Sequence, residues 1–450
     1  MQQTEDDYSS LQPSSTTDQN HTFKWLLVND QCYNVQNLEL CDDIVFSVIQ
    51  FLQSEFILRS CMRVCKQWLK ISLSKPLSLR ITNLQKLQHA AKCAQLKNLT
   101  ILVLNGFSKG QDVAYGDAAI KIIAKSPHMK SLTRLEMENM DISHEGCLAL
   151  ANSQHVQNLT HLNWSINPKI TVESFLALAS SSNMKNLTSL DVFLTYVGDE
   201  GMKSIANMKH LRSLKFGSNN ISLKGIKHVS SMSSLTELNV LHLDMNVVST
   251  HQFLDVIANS ESMCHLTKMS LYKSSISSQQ VLSLTTSPYI TQLTSLDLSG
   301  NNIGDVGIKS IATSRSMQHL KRLTINTCMI SDAGACTIAK SSFMKNLTYL
   351  NVSNEDGPSR LSELNTISNA FAHALAESEF MQQLEELCML DISVNDEGAI
   401  ALAQSKYLNK LKCLHLSEIG HEAASLVVSK FPKVKFMNLP RCSFDDCLVM

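Results

Sequence analysis

Few residues in this chain stand at spacings that could do chemistry. His242 and Asp244 are two apart, as on one face of a strand, a pair able to orient a proton for a neighbouring cysteine or serine. No nucleophile elbow, phosphate-cradling glycine loop or H-E-x-x-H helix accompanies them, so catalysis is not expected. Cys61 and Cys65 are one helical turn apart within an apolar stripe and read as core. The 13 cysteines are scattered and include no C-x-x-C pair. That suits reduced thiols better than a disulfide framework or a zinc site, and neither metal ligands nor a cofactor is expected. The remaining chemical signal is terminal. Cys447-Leu448-Val449-Met450 forms a C-a-a-X box, with Cys447 the lipidated residue and the methionine favouring a farnesyl group. One such lipid gives marginal, reversible membrane residence.

Bulk properties narrow the field. A net charge of -1 across 450 residues, with no basic stripe, argues against nucleic acid as a partner. The opening MQQTEDDYSS is acidic and polar, unlike a secretory signal. No apolar run approaches the roughly 20 residues that span a bilayer. A cytoplasmic or nuclear protein is expected, with a peripheral membrane fraction held by the prenyl group. The sequons at Asn98, Asn158, Asn186 and Asn346 all read N-L-T and place their leucine at one recurring apolar position. They belong to a repeat rather than to a glycosylated ectodomain.

That repeat is plainest from Leu293 to Ala312, LTSLDLSGNNIGDVGIKSIA: strand, turn and helix in one unit. Copies are anchored at Leu102, Leu135, Leu162, Leu190, Leu214, Leu241, Met269, Leu296, Leu323, Leu350, Leu387, Leu414 and Met437. The steps are 33, 27, 28, 24, 27, 28, 27, 27, 27, 37, 27 and 23 residues, the long ones carrying insertions near Ser108–Val113 and Asn354–Glu363. One unit cannot bury its own apolar face, so neighbours must stack. Five residues after the anchor stand Asn167, Asn219, Asn246 and Asn301, or Thr195, Ser274, Cys328 and Cys442, placed to bond loop backbone from rung to rung. A second pattern, I/V-x-D/H-x-G, opens the helices, as in Ile303–Gly307, where the glycine allows close backbone approach and the acid can cap. The grammar resembles leucine-rich repeats of the cysteine-containing or ribonuclease-inhibitor-like classes. The fold class expected is an α/β solenoid, a leucine-rich-repeat horseshoe with parallel strands concave and helices convex.

Side chains between the leucines point away from the core. Phe193, Lys215, His242, Asp244, Tyr272, Arg322 and Asn326 are the candidates for protein cargo on the concave face, mixing aromatic and charged groups as protein-binding surfaces do.

Ahead of the repeats, Ile44, Val45, Val48, Ile49 and Leu52 form one helical stripe, and Leu58, Cys61, Met62, Cys65 and Trp68 another. Two such helices are too small to stand alone. The segment resembles the F-box at Leu40, Ile44, Ile49, Phe51, Leu52, Leu58, Val64, Cys65, Lys66 and Trp68; Cys41 departs from it where proline is usual. The resemblance implies that Leu40, Ile44, Ile49, Leu52, Leu58, Val64 and Trp68 dock a Skp-type adaptor of a cullin–RING ubiquitin ligase. The chain would then be its non-catalytic substrate-recognition subunit. The expected domains are a disordered tail at 1–34, the F-box-like helices at 38–74, about 12–13 repeats over 77–440, and the lipid-bearing tail at 441–450. Two alternatives stay open: a repeat scaffold whose helical segment merely caps the solenoid, and a GTPase-regulating or inhibitor protein.

Overall fold

The structure, a computed structural model, describes residues 25–28, 31–34, 76–104, 115–240, 250–354, 364–417, 419–431 and 433–436. The chain forms two compact units, Met1–Leu79 with Ala94–Thr100, and Arg80–Cys93 with Ile101–Met450. In the first, Trp25–Val28 pairs antiparallel with Gln31–Asn34. Trp25 and Val28, both strand-favouring residues, bound an apolar run within an otherwise polar tail. The F-box-like segment, with all seven adaptor candidates from Leu40 to Trp68, lies outside the described residues, as do His242, Asp244 and Cys447.

The second unit is built from the repeat. In the copy at Leu293, the strand Ser295–Asp297 leads through a turn into the helix Gly304–Thr313. Leu293, Leu296, Leu298, Ile308, Ile311 and Ala312 are all fully buried. Burying each leucine or isoleucine stabilises the fold by about 1.5–3 kcal/mol. A helical crossover brings each strand back parallel to the last. The strands therefore follow chain order in one sheet, from Leu99–Leu104 to Lys433–Phe436. The anchors stand in register: Leu102 opposite Leu135, Leu296 opposite Leu323, Leu350 opposite Leu387.

Two anchors differ from expectation, each by three residues. Leu238, not Leu241, stands opposite Leu214 and Met269. Leucines at 235, 238, 241 and 243 satisfy two phases of the pattern, and hydrophobicity cannot choose between them. The Leu-Thr pair before the strand does. The Thr236 carbonyl accepts the Thr267 and Lys268 N–H groups at 2.8 and 3.1 Å, just as the Thr267 carbonyl accepts that of Thr294 at 2.7 Å. At the end of the sheet Val434, not Met437, lies opposite Leu414, because the last strand starts soon after the helix His421–Lys430 and the buried Phe431.

Polar ladders lock successive repeats. Asn301 accepts the Ser274 and Ile276 N–H groups on Oδ1, both at 2.9 Å, and donates from Nδ2 to the Leu271, Leu298 and Ser299 carbonyls. Asn167 does the same for the rung before it. The asparagines of the N-L-T triplets are used as well: Asn158, Asn186 and Asn346 donate to the Lys130, Gln157 and Gln318 carbonyls, each at 2.8 Å.

The helix-opening acid serves the next repeat rather than its own. Asp305 accepts the N–H and hydroxyl of Ser331, the N-cap of the following helix, at 2.8 and 2.6 Å. Asp199 does this for Ser222, and Asp332 for Ser368. The glycine in the pattern makes room for that carboxylate. A Cβ on Gly334 would meet Asp305 Oδ1 and sit 2.9 Å from its Cα.

Candidate functional site

Because the anchors face the helices, the residues before and after them in each strand occupy the opposite face. That face carries Arg134, His161, Lys268 and Arg322 exposed, with Phe193, Lys215 and Tyr272 half-buried. Its charges are arranged between neighbouring strands. Lys215 Nζ lies 3.1 Å from Asp191 Oδ2, and Asp191 Oδ1 accepts the Phe193 N–H at 3.0 Å. Burial raises the Asp191 pKa above the ordinary carboxylate value, against the lowering effect of Lys215. Farther along, the Arg322 guanidinium stacks 3.7 Å from the centroid of the Tyr349 ring, a cation–π contact between adjacent strands.

Phe193, Lys215, Tyr272 and Arg322 thus share one face, but as a stripe rather than a cluster. At about 4.8 Å per strand, Phe193 and Tyr272 are roughly 14 Å apart across the sheet. Asn326 is only 6% exposed, and its Oδ1 has no hydrogen-bond partner among the described residues. The shift of anchor to Leu238 puts Asn239 at the face position expected of His242, with Glu237 on the other side of the anchor. Glu237 pairs with Lys268 at 3.7 Å. The Leu-Thr signal that sets this register was present in the sequence and outweighs the leucine count.

A second grouping was not foreseen from sequence. Glu386 and Cys388 stand beside Cys413 and His415 on the neighbouring strand. His415 Nε2 is 3.1 Å from Cys413 Sγ and 3.6 Å from Glu386 Oε1. The available signal was E-x-C followed by C-x-H at the same strand positions one repeat later, a coincidence visible only once the repeats are stacked. Cys147 is a core group: burial pushes its thiol up to about 12, which removes it as a nucleophile. A shallow depression of about 800 Å³ opens on the helix side between His373, Glu397 and Tyr407, where His373 Nε2 lies 3.3 Å from Glu397 Oε1.

A leucine-rich-repeat family model matches residues 183–206, 207–229 and 290–312. A comparison with curated protein sequences finds no match. Among solved structures, the chain is similar to one in the crystal structure of the Rad7 and Elc1 complex in yeast, at 16% identity and TM-score 0.52, covering 88% of each chain. It is also similar to an internalin from Listeria monocytogenes, at 21% identity and TM-score 0.41, covering 72% of this chain and 95% of that one. With the parallel sheet, its leucine register and the matched repeats, the fold is an α/β leucine-rich-repeat solenoid.

Proposed function

We propose that this chain is the substrate-recognition subunit of a cullin–RING ubiquitin ligase, docking a Skp-type adaptor through residues 38–74 and protein cargo on the strand face of its repeats. The observation that carries the proposal is the order of parts: Val64-Cys65-Lys66-x-Trp68, closing an F-box-like pair of apolar stripes, directly precedes a repeat array. An apolar helical surface seated in a partner's groove is a common recognition mode, with aromatic and aliphatic anchors such as Trp68 and Leu40 at its centre. The solenoid supports the second half of the proposal, since stacked repeats present extended binding surfaces. A structure of Rad7 together with Elc1 is in keeping with a repeat protein that has a protein partner. The chain positions cargo for an enzyme brought by other subunits and supplies no chemistry itself. A prenyl group on Cys447 would hold part of a cytoplasmic or nuclear pool loosely at membranes.

Affinity purification of the full chain followed by mass spectrometry tests this. A Skp-type adaptor and a cullin should co-purify with the intact chain and disappear from a Leu40→Ala/Trp68→Ala variant. Recovery of cargo without any adaptor would leave a plain repeat scaffold in place of a ligase receptor.

A further inference from the structure

Glu386, Cys388, Cys413 and His415 form a two-by-two patch on adjacent parallel strands, Glu386 opposite Cys413 and Cys388 opposite His415. Leu387 and Leu414 between them are fully buried, so the pleat turns all four toward the other face. The donor atoms of three of them converge, with Cys413 beside His415. One ligand atom each of Glu386, Cys388 and His415 lies within 4.8 Å of the others, and Cys413 Sγ is 3.1 Å from His415 Nε2. A tetrahedral zinc ion, with bonds of about 2.0–2.3 Å, separates its ligand atoms by about 3.3–3.8 Å. His415 Nε2 already stands at that separation from Glu386 Oε1, at 3.6 Å, and just inside it from Cys413 Sγ.

We propose that these four residues bind a divalent transition-metal cation of the zinc class. Cys388 and Cys413 bind as thiolates, His415 as neutral imidazole through Nε2, and Glu386 as carboxylate. Two soft sulfurs with one nitrogen favour zinc and disfavour magnesium or calcium, which take oxygen ligands. Cys388 is 6% exposed and the His415 side chain 13%, whereas Glu386 reaches solvent at 37%. Cys388 and His415 are therefore sheltered, with the carboxylate at the rim and Cys413 half-buried. Binding to the neutral thiols releases two protons, one from each cysteine, so affinity rises with pH. The bound ion would tie two successive repeats together across the sheet.

Zinc titration of the metal-stripped full chain, against a competing chromophoric chelator, tests the site, with cobalt as a spectroscopic substitute. One tight equivalent is expected, and the cobalt form should show thiolate charge-transfer absorption with the strong visible bands of a tetrahedral ion. Cys388→Ser and Cys413→Ser should each weaken binding on the order of 100-fold or more, since even outer residues around a metal cost 10–100-fold. Cys61→Ser/Cys65→Ser should leave the equivalent intact. Absence of a tight equivalent or of thiolate bands in the unmodified chain overturns the proposal. So does an equivalent that survives the Cys388→Ser/Cys413→Ser double variant.

Discussion

Asn354 and Asn365 clasp each other at the base of the longest insertion. The Asn365 N–H donates to Asn354 Oδ1 at 2.7 Å, and Asn354 Nδ2 donates to the Asn365 carbonyl at 3.1 Å. Asn365 thereby takes the ladder place that other repeats fill five residues after the anchor. Its Oδ1 accepts the Cys328 and Ile330 N–H groups, and its Nδ2 donates to the Ile325, Val352 and Ser353 carbonyls. Replacing it by alanine strands several buried backbone groups at once. Asn365→Ala should lower stability by roughly 2–4 kcal/mol, read as a shift in the urea midpoint. An unchanged midpoint would show that the insertion, not the amide, organises this turn.

The contact between Asp305 and Gly334 predicts a coupling between repeats. Gly334→Ala places a methyl against the Asp305 carboxylate and should cost about 1–3 kcal/mol. Asp305→Ala removes the acceptor for Ser331 and should cost about 1 kcal/mol, typical of a lost helix cap. In the double variant the methyl no longer meets the carboxylate, so the two losses should not add. Strict additivity in a double-mutant cycle would contradict the cross-repeat ladder.

Asp191 gives a pH dependence with a definite sign. Burial raises its pKa above the ordinary value of 3.8. An acid whose folded pKa is raised contributes stability that is fully present below its unfolded pKa and is lost as pH rises through the folded one. Asp191→Asn keeps an acceptor for the Phe193 N–H and should flatten the part of the Tm profile that falls as pH rises above about 4. Lys215→Met removes the group that opposes the rise, so carboxyl NMR should find Asp191 titrating still higher. A downward move would reverse the assigned causes.

The architecture was legible because period and burial reinforce each other. Thirteen leucine-type positions at nearly constant steps admit one parallel sheet, and eleven of them fall where expected. Leu241 and Met437 missed because hydrophobicity has the same value in either phase; the Leu235-Thr236 pair, read for its hydrogen bonds, separates the phases. Asn365 was hidden by the insertion before it. The use of Asp305 by the next helix was hidden for another reason: sequence proximity points to its own helix, while stacking brings Ser331 nearer. The strand-face residues were legible as a set from alternation alone, but their spread into a stripe was not, since distance across the sheet follows repeat number. Glu386, Cys388, Cys413 and His415 escaped notice because metal-ligand patterns are sought within one segment, and these are joined only by strand pairing.

If cargo is held on the strand face, its binding should respond to Phe193 while adaptor binding does not. Phe193→Ala should reduce recovery of co-purified cargo by about tenfold or more, the effect of losing one interface anchor. Adaptor recovery should be unchanged. Loss of adaptor and cargo together would place both partners on one surface.

The most direct measurement is size-exclusion chromatography with light scattering of the full chain mixed with a purified Skp-type adaptor. The account predicts a one-to-one complex, and free components when Trp68→Ala is used instead. A complex that forms equally well with Trp68→Ala, or no complex with the unmodified chain, would contradict it.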